Sequence, residues 1–164
     1  MAIAAAGGCA TSAAFQQELT KTNTQTVMAF EETVFNKHEV PEAFAHYVGI
    51  DFIEHDPRLS GADAGDAGGA DGAGGVGADD PGRGDRAAAV KAYGGLLRRL
   101  AAGSRRVFAR TVAQGDLVAT QSSWEGLAGP ARSISVVDIY RLSEGRIVEH
   151  WDVMQGQGPV VPER

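Results

Sequence analysis

The sequence of 164 residues contains a single cysteine, Cys9, and only four histidines. One cysteine excludes an internal disulfide and any metal site built from several thiolates. No apolar run approaches the roughly 20 residues that a membrane-spanning helix needs. The formal net charge of −6 argues against a nucleic-acid partner that is bound by phosphate neutralisation. The histidines and acids also lack the helical spacing of common metal sites, so we expect neither a metal nor a cofactor.

The first 14 residues are rich in alanine, glycine and serine and are expected to form a disordered tail, and residues 158–164 are expected to form a C-terminal tail. The stretch before Cys9 loosely resembles a bacterial lipoprotein cleavage box. It lacks the basic segment and the apolar stretch that precede such a box. We therefore expect a cytoplasmic protein, and the alternative is an exported lipoprotein whose true start was lost.

Residues 60–85 form a low-complexity segment in which glycine, alanine and aspartate dominate. The segment holds six aspartates and one arginine, so it carries most of the negative charge of the chain. It cannot bury enough apolar area to offset the entropy lost on ordering. We interpret it as a flexible insertion within a single domain that covers residues 15–157.

Apolar residues at helical spacing predict three helices, at residues 19–38, 41–48 and 86–101. A short strand is predicted at 51–55, before Pro57. After residue 105 the apolar period changes to two, which predicts four antiparallel strands, at 105–114, 117–125, 132–142 and 146–154. Helices followed by a run of strands predict an α+β fold, with the helices packed on one face of a curved sheet.

The turn of the last hairpin decides which of its side chains share a face. A three-residue loop places Gly145 in the left-handed conformation and puts Asp138 opposite His150. A two-residue type I′ loop requires a positive φ at Glu144 and puts Asp138 opposite Trp151. We expect the three-residue loop. One face of the hairpin then carries Val136, Asp138, Tyr140, Val148, His150 and Asp152. The other face carries Val137, Ile139, Ile147, Glu149, Trp151 and Val153.

Two segments of the chain resemble one known family. VVDIYRLSEGRIVEHWDV, from Val136 to Val153, resembles the end of SnoaL-like proteins, within the nuclear-transport-factor-2-like superfamily of polyketide cyclases, ketosteroid isomerase and scytalone dehydratase. FIEHDP, from Phe52 to Pro57, resembles the strand and His-Asp-Pro element after the second helix. The resemblance covers about residues 19–154 apart from the insertion. It implies a cone-shaped, cystatin-like α+β roll that forms a homodimer through its sheet.

The resemblance to ketosteroid isomerase implies roles for two acids. Asp56 stands at the place of the general base, and Asp138 at that of the carboxyl that donates a hydrogen bond to the oxyanion. The isomerase's tyrosine donor aligns near Glu31, so this constellation is incomplete. SnoaL-like cyclases use a His and Asp pair instead, which His150 or His55 could form with Asp138 or Asp152.

Each candidate also has a structural interpretation. Asp138, in an otherwise apolar strand, could form a salt bridge with Arg110 or Arg132. His150 could be a strand histidine that pairs with Asp138, and Asp56 could cap a turn. The residues predicted to contact substrate are Trp124, Tyr140, Asp152 and Phe30, although a tryptophan here could equally be a core residue.

The sequence therefore predicts a cofactor-independent enzyme that removes a proton next to the carbonyl of a small, largely apolar molecule. Isomerisation, dehydration and ring closure all begin with this step. The candidate catalytic residues are Asp138, His150, Asp56 and His55. The alternative is a non-catalytic module that binds a small ligand or dimerises through its sheet. A cavity among the polar side chains would favour the enzyme, and an interior filled by Trp124 and Tyr140 would favour the module.

Overall fold

The computed structural model describes residues 7–56, 59, 86–100, 102–127 and 133–156, with side chains from residue 12 onward. The predicted insertion at 60–85, Pro57, Arg132 and the tail at 158–164 lie outside the described residues. Within them, three helices and one five-stranded mixed sheet form an α+β fold. The predicted fold class is confirmed.

The elements follow the predicted order. The helices are α1 (Gly7–Glu31), which continues into a π-helical turn (Glu32–Asn36), α2 (Val40–Tyr47) and α3 (Arg86–Arg99). The strands are β1 (Val48–Glu54), β2 (Arg105–Gln114), β3 (Leu117–Glu125), β4 (Ile134–Ser143) and β5 (Arg146–Gly156). Because α1 begins at Gly7, residues 7–14 are helical where the composition suggested a disordered tail. The first helix also ends earlier than predicted, since its last turn widens and His38 has a positive φ of 62°.

The strands lie in the order β1-β5-β4-β3-β2, with β1 parallel to β5 and every other pair antiparallel. The helices cover one face of this sheet. Apolar side chains from α1, α2 and α3 meet alternate residues of the strands there, as the period of two requires. The buried core includes Val27, Phe30, Phe44, Tyr93, Val118, Trp124, Tyr140 and Ile147.

The turn of the β4–β5 hairpin differs from the prediction. Ser143 pairs with Arg146, so the loop has two residues, and Glu144 and Gly145 both have positive φ, at 51° and 74°. This is the type I′ geometry, in which the backbone twist of the loop matches that of the strands. The predicted three-residue loop is therefore wrong, and the strain that it would have avoided lies on Glu144.

A β-bulge next to this turn corrects the register. The pairing passes from Leu142–Ile147 to Arg141–Glu149, which leaves Val148 as the extra residue. Tyr140 then lies opposite His150. Without the bulge, each residue of β5 beyond it would face the opposite side of the sheet.

The bulge sets the two faces of the hairpin. Asp138 lies opposite Asp152, rather than opposite His150 or Trp151 as the two predicted registers required. Asp138, Tyr140, His150 and Asp152 still share the inner face, as predicted. Ile147, which was predicted on the outer face, is fully buried in the core instead.

We predict that Glu144→Asn stabilises the protein. Asparagine and glycine adopt positive φ readily, whereas other residues lose about 1 kcal/mol or more there. The free energy of unfolding, from urea denaturation, should rise by about 1 kcal/mol in Glu144→Asn. Glu144→Gln is the matched control, because it removes the charge and keeps the backbone preference. Equal stability of the two variants would contradict the argument.

Candidate functional site

Polar side chains meet inside the fold, between the helices and the inner face of the sheet. Every one of them is at most 3% exposed to solvent. They come from α1, α3 and four of the five strands. We call them the interior polar cluster, which consists of Glu31, Glu54, Tyr93, Arg106, Asp138, Tyr140 and His150.

His150 lies at the centre of this cluster. Its Nδ1 is 2.8 Å and 3.0 Å from the two carboxylate oxygens of Glu54, and its Nε2 is 3.2 Å from Oδ1 of Asp138. The ring stacks on Tyr140, with centroids 4.7 Å apart. Burial alone would lower the pKa of His150, but the two carboxylates raise it to about 10. His150 is therefore an imidazolium at neutral pH and donates from both ring nitrogens.

Asp138 has a second cationic partner in Arg106. The guanidinium donates from Nη2 to Oδ2 of Asp138 and from Nε to Ser122 Oγ, at 2.9 Å. Burial favours the neutral acid, yet Arg106 and then His150 hold the pKa of Asp138 below its usual value. Asp138 is thus a buried carboxylate. Its salt-bridge partner is Arg106, rather than the predicted Arg110, which is exposed, or Arg132.

Aromatic rings and the π-helical turn position Arg106. Its guanidinium carbon lies 4.3 Å from the ring centre of Phe35 and 5.3 Å from that of Trp124, within the range of cation–π attraction. Asn36, the last residue of the π-helical turn, accepts a hydrogen bond from the backbone N–H of Arg106 at 2.9 Å. It also donates to the Arg106 carbonyl at 3.2 Å. The end of the first helical segment is thereby joined to the start of β2.

Tyr93 of α3 completes the contacts of Glu54. Its hydroxyl donates to Oε2 of Glu54 at 2.9 Å and lies 3.1 Å from Nδ1 of His150. Burial and the adjacent Glu54 carboxylate raise the pKa of Tyr93 well above its ordinary value. The tyrosine therefore stays a neutral donor.

Glu31, the last residue of α1, is fully buried. Its Oε1 accepts a hydrogen bond of 2.7 Å from the Thr120 hydroxyl. Neither its Oε2 nor the Tyr140 hydroxyl has a partner of regular hydrogen-bond geometry among the described residues. Burial first, and the Asp138 carboxylate second, raise the pKa of Glu31 to about 7.

The comparisons with known proteins agree on one family. The sequence profile of the SnoaL-like domain matches residues 27–150, which is most of the chain. The chain belongs to the SnoaL-like domain family. The comparison with curated proteins finds no match.

Solved structures of the nuclear-transport-factor-2-like superfamily share the fold. An NTF2-like protein of unknown function from Mesorhizobium loti is 20% identical, with a TM-score of 0.57, and the match covers 84% of this chain and 93% of that one. IdmH, a candidate polyketide cyclase from Streptomyces antibioticus, is 20% identical, with a TM-score of 0.54 and coverage of 80% and 91%. A candidate ketosteroid isomerase from Kribbella flavida is 14% identical, with a TM-score of 0.57 and coverage of 88% and 86%. The TM-scores above 0.5 over most of each chain show a shared fold.

The residues predicted to be catalytic from the SnoaL-like resemblance fall into two groups. Asp138 and His150 lie together in the cluster, 3.2 Å apart. His55 is exposed and stacks on Trp151, with ring centres 4.5 Å apart, on the outer face of the sheet. Asp56 is buried and donates its backbone N–H to Oε1 of Glu54 at 3.0 Å. The structure therefore brings two of the four into one site and places Asp56 at its border.

The residues predicted to contact substrate lie mainly in the core. Phe30 packs edge-to-face against Phe44 and Tyr140, with ring centres 5.4 Å and 6.0 Å away. Trp124 is buried against Phe35 at 5.4 Å. Tyr140 belongs to the cluster itself. Asp152 is half-buried beside Asp138 on the inner face.

Four members of the cluster were not among the sequence-predicted site residues. Glu54 lies in the strand of the FIEHDP segment, one residue before the predicted His55. Its place opposite His150 depends on the parallel pairing of β1 with β5, which joins distant parts of the chain. Tyr93 carried no signal beyond its place in an apolar helical stripe. Arg106 is one of several arginines in its strand, so the sequence did not single it out. Glu31 follows an apolar residue in a helix, which gave no signal of a site either.

Two surface clefts lie away from the cluster. One of about 440 Å³ lies between the start of α2 and α3, and one of about 580 Å³ lies beside α1 and the β2–β3 turn. In the part of the chain that the structure describes, no group of three or more His, Cys, Asp or Glu is arranged to hold a metal ion. No helix there is long and apolar enough to cross a membrane.

We predict that His150 keeps its proton well above neutral pH. Because its folded pKa of about 10 exceeds the unfolded value of 6.5, its stabilising contribution is complete below pH 6.5 and is lost as the pH rises towards 10. The free energy of unfolding of the wild type should fall over this range, by at most about 1.4 kcal/mol per pH unit for one proton. His150→Gln should show a shallower slope in urea denaturation, and His46→Gln, on the surface, should match the wild type.

The imidazole resonances of His150 give a direct check. In NMR spectra they should stay in the imidazolium form from pH 6 to pH 8, and the His150→Gln spectrum assigns them. Titration near pH 6.5 would contradict the assignment of a buried imidazolium.

Proposed function

We propose that this SnoaL-like protein is a cofactor-independent acid/base enzyme of the isomerase, dehydratase or cyclase kind. It removes a proton next to the carbonyl of a small, largely apolar molecule. The observation that supports this most directly is the interior polar cluster, where Asp138 and His150 are held as buried ions within an aromatic interior.

The energetics of the cluster favour a functional role. Buried ion pairs contribute little to stability compared with apolar residues of the same volume, because desolvation offsets their attraction. In this chain Arg106, Asp138, Glu54 and His150 are nonetheless buried together. Their fixed charges could stabilise an enolate in a low-dielectric interior, where such interactions are stronger than in water.

The geometry supports distinct roles for the cluster members. His150 acts as a permanent cation, because both of its nitrogens are engaged and its pKa is about 10. Asp138 orients His150 and Arg106. The buried Tyr140 hydroxyl, which lacks a regular partner among the described residues, is available to donate a hydrogen bond to the substrate carbonyl. Phe30 and Trp124 would contact the apolar part of the substrate once it has entered.

Substrate reaches this site through a movement of the surrounding elements. Every cluster side chain is at most 3% exposed, and neither of the two clefts touches them. The same observation favours the second candidate function, a non-catalytic module whose interior is filled by Tyr140 and Trp124. An activity assay distinguishes the two candidates.

We predict that the protein exchanges the α-protons of small apolar ketones with solvent. The assay incubates a panel of cyclic ketones and 1,3-diketones in D₂O and measures deuterium at the α-carbon by NMR. Asp138→Asn and His150→Gln should each slow the exchange by about 100-fold or more. Asp116→Asn and His46→Gln change exposed residues of the same types and should not affect the rate.

A separate control tests whether a variant loses activity because it fails to fold. Asp138→Asn leaves the Arg106 cation buried without its carboxylate, which can destabilise the protein by about 3–5 kcal/mol. The double variant Asp138→Asn/Arg106→Met removes that cation as well and should recover stability but not exchange. Folded variants with wild-type rates would refute the enzyme and leave the binding module.

We further propose that the outer face of the sheet forms a homodimer. This face exposes several apolar side chains, among them the cross-strand pair Val137 and Val153, at 36% and 66% exposure. The double variant Val137→Lys/Val153→Lys should shift the mass in solution, measured by light scattering, from dimer to monomer. Phe15→Lys changes an exposed apolar residue of α1, outside the proposed interface, and should leave the dimer intact. A wild-type monomer would refute this proposal.

A further inference from the structure

The charges of the interior polar cluster do not balance if every acid is ionised. Three carboxyl groups, Glu31, Glu54 and Asp138, are buried with two cationic groups, Arg106 and His150. Arg106 forms an ion pair with Asp138, and His150 forms ion pairs with Glu54 and Asp138. Both cations are therefore engaged by carboxylates other than Glu31.

Glu31 forms no ion pair with any residue that the structure describes, although its side chain is fully buried. Its hydrogen bond of regular geometry comes from the neutral Thr120 hydroxyl. An isolated carboxylate is strongly disfavoured in such a place, and the neutral acid is the ordinary solution. The contacts alone thus indicate a carboxyl group that holds a proton easily.

Some of the groups around Glu31 raise its pKa and others lower it. From β4, the Asp138 carboxylate raises its pKa, and from β2 the Arg106 guanidinium lowers it. The Thr120 hydroxyl of β3 and the Tyr140 hydroxyl of β4 also favour the carboxylate. Burial is the largest influence, and the balance places the pKa of Glu31 at about 7. Both forms of Glu31 are populated at neutral pH.

The local backbone provides a second observation. Glu31 is the last α-helical residue before the π-helical turn Glu32–Asn36. Turns of this kind interrupt the regular helix and often occur at functional sites. Here the turn directs Asn36 onto the backbone of Arg106, so the backbone that carries Glu31 and the strand that carries its cationic neighbour are joined.

We propose that Glu31 is the residue that gives and takes the proton in this site, while Asp138, His150 and Arg106 remain charged. This inference rests on the proposed acid/base function and names the group that performs it. His150 holds its proton too tightly to act as a base, and Asp138 holds one too weakly. Oε2 of Glu31 has no partner of regular hydrogen-bond geometry among the described residues, and the Tyr140 hydroxyl is its neighbour in the same interior.

The proton transfer balances without any other reactant. The Glu31 carboxylate takes the proton from the carbon next to the carbonyl, and the C–H electron pair becomes the enolate. The Tyr140 hydroxyl donates a hydrogen bond to the enolate oxygen. The Glu31 carboxylic acid then returns the proton, either to a second carbon in an isomerisation or to a departing hydroxyl in a dehydration.

The first measurement follows the proton itself. Infrared difference spectra between pH 5 and pH 9 should show the carbonyl band of a buried carboxylic acid that disappears with a midpoint near pH 7. Glu31→Gln should abolish this band. Glu32→Gln, which changes the adjacent exposed acid, should retain it.

The second measurement is deuterium exchange of the ketone panel as a function of pH. The wild-type rate should rise with pH through a midpoint near 7, because the carboxylate form of Glu31 is the base. Glu31→Gln should lower the rate by about 100-fold or more and remove this midpoint. Glu31→Asp restores a shorter carboxyl group and should recover part of the rate, whereas a structural role would predict no such recovery.

The outcomes separate this inference from the proposed function. Exchange that persists in Glu31→Gln with an unchanged pH profile overturns the role of Glu31 and leaves the acid/base enzyme standing. A wild type that exchanges no ketone while the infrared band titrates near pH 7 overturns the enzyme, and the catalytic role of Glu31 with it.

Glu31→Gln should fold, because the amide oxygen can still accept the hydrogen bond from Thr120. Its free energy of unfolding should also lose the decrease that the raised pKa of Glu31 causes in the wild type between about pH 4.5 and pH 7. If the glutamine variant nevertheless fails to fold, the Glu31→Asp pH profile decides. A midpoint that does not move from the wild-type value contradicts the proposal.

Discussion

Asp138 is the carboxylate on which the rest of the interior depends. It joins the cations of two other strands, Arg106 and His150, which together hold its pKa below the usual value despite burial. In turn its charge helps to keep His150 protonated and raises the pKa of Glu31. A single buried negative charge thus couples the protonation states of groups on α1, β2 and β5.

Such an arrangement requires a precise register between β4 and β5. The type I′ turn alone would direct His150 away from Asp138, and the bulge at Val148 restores its inward orientation. The two-residue turn and the bulge together therefore set the register that brings His150 to Asp138. The positive φ of Glu144 is the strained part of this solution.

The protein shares its scaffold with solved structures of the same fold. One fold can host many reactions, so the family relation supports a small-molecule site without naming the reaction. The site of this chain is distinguished by a histidine held between two carboxylates and by a third carboxyl group without a cation. That excess of one acid makes proton transfer at neutral pH physically reasonable.

The sequence by itself determined the elements and the family. A strict period of two predicted β2 and β3 to the residue. The interpretation of 60–85 as an insertion, from its glycine- and aspartate-rich composition, stays a prediction. Period and composition are local properties, so one sequence can reveal them. The prediction that Asp138 and His150 share one face rested on a three-residue turn, whereas the structure brings them to one face through a two-residue turn and a bulge.

Only the tertiary structure decided which groups meet these two residues. Glu54 reaches His150 through a parallel pairing between distant strands, and Arg106 reaches Asp138 across β3. Glu31 holds a proton more readily than an exposed glutamate because it is buried beside Asp138 and forms no ion pair with a described residue. Burial and pairing depend on the whole chain, and for that reason no local pattern could reveal the protonation states that define the site.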